Sequence, residues 1–131
     1  VRPMPTQSLG RAGEEATAQY LIERGCFVVE KNYRPAGRHE ELDLIACDGR
    51  YLLFVEVKTR KQGTASAFCA QLAVTPAKQK RILLGAQKFL LDHSSYTCYQ
   101  PRFDVACVTM LDNRVVQLDY YPNAFEAMGM E

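Results

Sequence analysis

The fold is decided by residues 41–60, which read ELDLIACDGRYLLFVEVKTR. The pair Asp48-Gly49 separates two apolar runs and favours a tight β-hairpin. The second run is almost continuously apolar, as expected for a strand that is covered on both faces. Two charged residues, Glu56 and Lys58, nevertheless stand at the end of this run. The stretch therefore predicts a buried hairpin that carries charge at one end.

The charged residues of the two strands are expected to meet. Because side chains alternate across a strand, Glu56 and Lys58 point to one side, and Glu41 and Asp43 share a side on the neighbouring strand. Burying unpaired charge costs free energy, and a buried ion pair is a poor source of stability. A divalent cation would account for the cluster, because hard carboxylate oxygens suit Mg²⁺ (or Mn²⁺) and the cation removes the repulsion between carboxylates.

Length and composition set the class of protein. A chain of 131 residues with 47% hydrophobic and 24% charged residues is typical of one globular domain with a sizeable core. No apolar run is long enough to cross a membrane, so no membrane partner is expected. The five cysteines include no Cys-x-x-Cys pair, which favours reduced thiols and a cytoplasmic location. The net charge of +1 neither requires nor excludes nucleic acid as a partner.

Two stretches predict helices. Residues 9–24 have apolar residues at helical spacing, and either Glu14 or Glu15 could lean over the sheet and join the charged cluster. Periodicity does not choose between them. The second helix spans residues 75–92 and begins with Thr75 as the N-cap. Its Gln79 places an amide within the apolar stripe, which is explained equally well by a hydrogen bond in the core and by a role in the site.

The remaining elements complete a mixed α/β fold. Strands are predicted at residues 26–33, 103–110 and 115–121, in addition to the hairpin. The order is helix, three-strand meander, helix, two strands, and the second helix allows a parallel crossover. A mixed central sheet flanked by helices follows. We expect the domain to span residues 9–121, with a flexible leader at 1–8, a polar loop at 61–74, and a tail at 122–131 that is a short helix or disordered.

The pattern of Asp43, a hairpin and Glu56-Val57-Lys58 resembles the signature of the PD-(D/E)xK nuclease superfamily. The chain as a whole resembles the YraN-like family of uncharacterised bacterial proteins. The stretches that carry this resemblance are Gly10–Glu15, Tyr20-Leu21, Asn32–Arg34, Glu41–Ile45, Phe54–Arg60 and Arg102–Val105. They cover nearly the whole chain, so the resemblance to the family is more specific than the three-residue superfamily pattern.

The resemblance implies a restriction-endonuclease-like fold and metal-assisted hydrolysis of phosphodiester bonds. Asp43 and Glu56 would hold Mg²⁺ or Mn²⁺, with Glu14 or Glu41 completing the shell, and Lys58 would offset negative charge in the transition state. The expected partner is nucleic acid, with DNA favoured over RNA, and a homodimer would suit the cutting of two strands. Candidate phosphate contacts are Arg60, Lys61, Lys78, Gln79, Arg81 and Lys88.

Two other functions fit the same residues. The chain could be a nucleic-acid-binding module that keeps the fold but does not cut. It could also be a structural or interaction protein in which the pairs Asp43–Lys58 and Glu56–Arg60 are simple ion pairs. Metal titration separates the three hypotheses, because only cutting requires a divalent cation and an ion-pair network binds none tightly.

Overall fold

The computed structural model describes residues 6–35, 41–63 and 74–126, with side chains from residue 10 onward. The elements in chain order are helix α1 (Thr6–Glu23), strands β1 (Phe27–Tyr33), β2 (Leu42–Asp48) and β3 (Tyr51–Lys61), helix α2 (Pro76–Asp92), a 3-10 turn (Ser94–Tyr96), and strands β4 (Gln100–Leu111) and β5 (Arg114–Phe125).

The five strands form one mixed sheet in the order β1-β2-β3-β4-β5. The first three strands are an antiparallel meander, β3 and β4 are parallel, and β5 returns antiparallel to β4. Helix α2 supplies the crossover that two parallel neighbours require. The predicted mixed α/β architecture, with its order of helix, three strands, helix and two strands, is confirmed.

The two hairpins have the turn chemistry that their sequences predict. In the β2–β3 turn Asp48 pairs with Tyr51, and Gly49 takes the left-handed backbone that the tight turn requires (φ 58°). In the β4–β5 turn Asp112 and Asn113 take the same region with φ of 50° and 63°. Two successive left-handed residues match the twist of the flanking strands, so this turn fixes the register of β5.

The core lies on both faces of the sheet. One face packs against α2 through Ile82, Ala86 and Phe89, and the other face packs against α1 through Ala18 and Leu21. Strand β3 is therefore covered on both sides, and its residues from Leu52 to Glu56 are all buried. The helices stand on opposite faces and frame the end of β3 where the charged residues lie.

The bounds of two elements differ from those predicted. Helix α1 begins at Thr6 instead of residue 9, because no residue between Thr6 and Ser8 breaks a helix. Strand β5 continues to Phe125, so Pro122 does not begin the tail. Proline is tolerated there because β5 is an edge strand, and Asn123 (φ 52°) provides the irregularity that lets pairing resume.

Several predictions fall partly outside the described residues. Residues 64–73 of the predicted loop, residues 36–40 of the connection before β2, and residues 127–131 of the predicted tail are among them. Of the five cysteines, the four in the described segments form no disulfide with one another, as predicted, and Cys69 lies outside those segments. A search of the described helices finds none with the length and apolar character needed to span a membrane.

Candidate functional site

A cavity of about 310 Å³ lies over the end of β3, between α1 and the first turn of α2. It brings together four of the five residues that the sequence predicted for catalysis: Glu14, Asp43, Glu56 and Lys58. The other lining residues are Gly10, Val57, Thr59, Arg60, Lys61, Lys78 and Met110. Three acidic and four basic side chains therefore line one cavity.

The hairpin places Asp43 and Glu56 side by side. The register pairs Leu44 with Val55, so the next residues along the two strands are Asp43 and Glu56. The Val57 backbone N–H donates to Asp43 Oδ2 at 2.9 Å, which fixes this carboxyl group against β3. Two carboxyl groups are thus held next to each other at the end of a buried sheet.

This arrangement raises the pKa of Asp43 from its ordinary 3.8 to about 9. Burial is the largest cause, followed by the hydrogen bond to the Glu56 carboxyl group and the Coulombic repulsion from it. The bond from the Val57 N–H acts in the opposite direction but does not compensate. Asp43 therefore retains a proton at neutral pH when no cation is bound.

Glu56 is a buried carboxylate with one oxygen that accepts no hydrogen bond in the described part of the chain. Its side chain is 4% exposed, and its Oε2 atom accepts no hydrogen bond from the described residues. The Lys78 Nζ atom lies 3.2 Å from this oxygen, but outside hydrogen-bonding geometry. The contact is therefore an electrostatic approach and leaves the lone pairs of Oε2 unused. A buried oxygen of this kind is costly unless something else binds it.

Of the two candidate glutamates on α1, Glu14 reaches the cavity. The preceding residue, Gly13, is buried so closely against β3 that a Cβ there would collide with Thr59 Oγ1. This close contact between α1 and β3 positions the neighbouring Glu14 in the cavity lining. Burial raises the pKa of Glu14, and the Asn32 side chain acts against that shift. Glu15 instead forms an exposed ion pair with Lys31 at 2.7 Å.

Lys58 lines the cavity beside the carboxyl groups. Among the described residues its ammonium forms no ion pair and no hydrogen bond, and in particular none with Asp43. Arg60, one position further along the same face, donates from Nε to Thr109 Oγ1 at 3.3 Å. The structure thus leaves the Lys58 ammonium available to a ligand in the cavity.

Four predicted site residues in the described segments are not part of the cavity lining: Glu41, Gln79, Arg81 and Lys88. Glu41 pairs with Arg34 at 3.2 Å. Gln79 donates from Nε2 to the Val74 carbonyl at 3.0 Å, which agrees with the hydrogen-bonded explanation of its amide. Arg81 is exposed and Lys88 is half-buried, both on α2. Of the six predicted phosphate contacts, Arg60, Lys61 and Lys78 line the cavity.

Sequence reasoning missed a second buried acidic residue, Asp104 on β4. Asp104 is fully buried. Its two oxygens accept hydrogen bonds from Nε and Nη2 of Arg102, from the Tyr120 hydroxyl and from the Asn123 backbone N–H. A signal was available, since an acid two residues after an arginine in an apolar strand shares its face. Sequence reasoning also gave Lys78 a phosphate contact without its approach to Glu56, which depends on how α2 packs.

The fold and the cavity define an α/β protein with a carboxylate site at the end of its central sheet. The chain belongs to the Uncharacterised protein family UPF0102, whose profile matches residues 13–108. The resemblance to the YraN-like family is thereby confirmed.

Relatives from distant bacteria match nearly the whole chain. A UPF0102 protein of Chlorobium phaeobacteroides is 41% identical over 124 residues, which cover 89% of this chain and 93% of the relative. One from Geobacter sulfurreducens is 39% identical over 118 residues, covering 90% and 88%, and one from Rhodococcus jostii is 40% identical over 118 residues, covering 90% and 96%. The names of these relatives state the family and no activity.

Proposed function

We propose that the cavity is the active site of a metal-dependent nuclease that hydrolyses phosphodiester bonds in nucleic acid. The observation that carries the proposal is the hydrogen-bonded pair of carboxyl groups, half-buried Asp43 and buried Glu56, in a cavity that basic residues also line. This pair does not stabilise the core, because burial and the neighbouring Glu56 carboxyl group raise the free-energy cost of ionising Asp43. A ligand that brings positive charge turns the same pair into a binding site.

The residues present fit a divalent cation with oxygen ligands. Oε2 of Glu56 has unused lone pairs, and Asp43 retains a proton that a cation would replace. No group of three His, Cys, Asp or Glu side chains within the described segments forms a closed ligand cluster. Mg²⁺ does not require one, because it keeps several waters and binds through one or two carboxylates. Asp43 and Glu56 would hold the cation, and Glu14 would bind through water.

A bound divalent cation supplies Lewis acidity to a phosphate oxygen and to the attacking water. The protein supplies the rest of the chemistry. The Val57 N–H holds Asp43 in place, and the surrounding core keeps Glu56 in a low-dielectric position. The Lys58 ammonium stands where it can stabilise the charge that develops on the phosphate. Arg60 and Lys61 at the rim fit contacts to neighbouring phosphates of the substrate.

The proposal is tested by a cleavage screen over duplex, single-stranded and branched DNA and over RNA, each with Mg²⁺, Mn²⁺ or EDTA. We expect cleavage that EDTA abolishes, and a loss of about 10²-fold or more in Lys58→Ala, by analogy with the removal of one transition-state donor. The matched control is Lys80→Ala, since Lys80 is an exposed residue of α2 outside the cavity lining.

The outcomes discriminate between the hypotheses. Parent-like cleavage by Lys58→Ala would remove this lysine from the mechanism. Binding of nucleic acid without a metal and without cleavage would favour the non-catalytic binding module. Absence of both binding and cleavage over the whole panel would contradict the proposed function.

A further inference from the structure

The side chain of Lys78 extends from helix α2 toward a buried carboxylate instead of into solvent. It lies in the first turn of α2, where its backbone N–H donates to the N-cap Thr75 Oγ1 at 3.2 Å. From there its side chain, only 36% exposed, extends to the buried Glu56 carboxylate, and Nζ comes within 3.2 Å of Oε2. The lysine is therefore anchored on α2, while its ammonium lies beside Glu56 in the cavity.

The helix that carries Lys78 is fixed, while its ammonium is not. Ile82, Ala86 and Phe89 anchor α2 in the core. The lysine side chain, in contrast, is a flexible four-carbon chain. Its ammonium makes no hydrogen bond with Glu56 Oε2. The ammonium can leave Glu56 by side-chain rotation alone, and the open cavity that Lys78 also lines gives it space.

The same carboxylate oxygen is the unused ligand of the proposed cation site. A divalent cation and an ammonium group bind the same lone pairs, and the two positive charges repel each other at that distance. The ammonium supplies one charge without satisfying Oε2, whereas a divalent cation supplies two charges and a ligand bond. Occupation of Glu56 by one excludes the other.

We propose that Lys78 is the resident counterion of Glu56 and competes with the divalent cation for this carboxylate. The proposal rests on the function proposed above and adds its regulation. Metal loading releases the Lys78 ammonium toward the mouth of the cavity, where a substrate phosphate can receive it. Metal and nucleic acid then bind cooperatively, because each favours the same displaced lysine.

The test is the affinity for Mn²⁺, measured by calorimetry on parent, Lys78→Met, Lys78→Arg and Lys58→Met. Removing a competitor that occupies the carboxylate most of the time should tighten binding by about tenfold or more in Lys78→Met. Lys78→Arg keeps the positive charge and should stay near the parent. Lys58→Met removes an equal charge from the same cavity without touching Glu56, so its effect should be clearly smaller.

A second readout isolates the contact itself. Parent, Lys78→Met, Glu56→Gln and the double variant are unfolded thermally in EDTA, and each is first checked for folding by circular dichroism. The proposal requires a coupling between Lys78 and Glu56 in this cycle. It also requires that duplex DNA tighten Mn²⁺ binding in the parent more than in Lys78→Met.

Equal Mn²⁺ affinity in parent and Lys78→Met would overturn the competition, as would an equal gain in Lys58→Met or the absence of coupling. Binding of Mn²⁺ by Lys78→Met alone would support it. If Lys78→Met binds Mn²⁺ about tenfold more tightly but the parent cuts no nucleic acid, the competition is supported and the nuclease function is contradicted. Failure of every variant to bind Mn²⁺ would overturn both.

Discussion

The sheet buries acidic residues in two places, and their surroundings differ. Asp104 on β4 is fully enclosed, and both of its oxygens accept hydrogen bonds from Arg102, Tyr120 and Asn123. Asp43 and Glu56 lie one register position further along β3. They have one backbone donor, each other, and an oxygen with no hydrogen bond from the described residues.

The difference sets a structural role for Asp104 against the cation-binding role that we propose for the Asp43–Glu56 pair. Asp104 is complete, because the chain supplies every partner that its carboxylate needs, and burial beside Asp104 also raises the pKa of the Tyr120 hydroxyl and so keeps it a donor. The Asp43–Glu56 pair is incomplete in the protein alone. Natural proteins keep such incomplete polar groups where a ligand completes them.

The largest effect is expected at the complete cluster. Asp104→Ala leaves Arg102 and the Tyr120 hydroxyl without their buried partner, and breaking a buried ion pair of this kind costs about 3–5 kcal/mol of stability. Urea denaturation of the variant would measure the loss. Glu23→Ala, at an exposed residue, serves as the control and should change stability by less than about 0.5 kcal/mol. A loss as small in Asp104→Ala would show that the network does not stabilise the fold.

The next largest effect concerns the contact that packs α1 against β3, beside the Asp43–Glu56 pair. A Cβ at Gly13 would collide with Thr59, so Gly13→Ala should destabilise the protein by about 1–3 kcal/mol through a shift of the helix. Gly10→Ala is the matched control on the same helix, because no described atom lies within 4 Å of its Cβ position. That variant should gain up to about 1 kcal/mol from helix propensity. Thermal unfolding that ranks the two variants in the reverse order would refute this packing.

The smallest expected change, taken for one pH unit, is the pH dependence of the metal-free protein, and its sign is specific to the site. The pKa of Asp43 is about 9 in the folded state against 3.8 ordinarily, so the folded protein holds an extra proton between these values. Asp43 therefore makes its full contribution to the free energy of unfolding below about pH 4. This contribution is lost as the pH rises toward 9, by at most about 1.4 kcal/mol per pH unit.

Asp43→Asn should remove this dependence and should not weaken the metal-free fold at neutral pH. The carbonyl of the substituted amide can still accept the hydrogen bond from the Val57 N–H, while the repulsion from Glu56 is gone. Urea denaturation in EDTA at several pH values would check both statements. A variant that retains the slope of the parent would show that other groups cause it.

The sequence was sufficient where local rules determine geometry. The alternation of side chains and the Asp-Gly turn predicted that Asp43 and Glu56 lie side by side, and both follow from the β2–β3 register. The order of elements was predictable for the same reason, because each apolar run has one clear period.

Tertiary packing determined what the sequence did not. The choice of Glu14 over Glu15 depends on the rotation of α1, which the contact of Gly13 with Thr59 sets. The approach of Lys78 to Glu56 depends on the distance of α2 from the sheet. The continuation of β5 past Pro122 depends on its edge position, where a missing N–H costs no ladder bond.

The central claim is that Asp43 and Glu56 form a cation site, and proton release on metal binding tests it most directly. Mn²⁺ is titrated calorimetrically into the parent at neutral pH in two buffers that differ in ionisation enthalpy. We predict binding with release of about one proton per cation, because Asp43 must lose the proton that its raised pKa retains. Asp43→Asn should bind more weakly and release less. Absence of Mn²⁺ binding, or binding that Asp43→Asn leaves unchanged, would contradict the account.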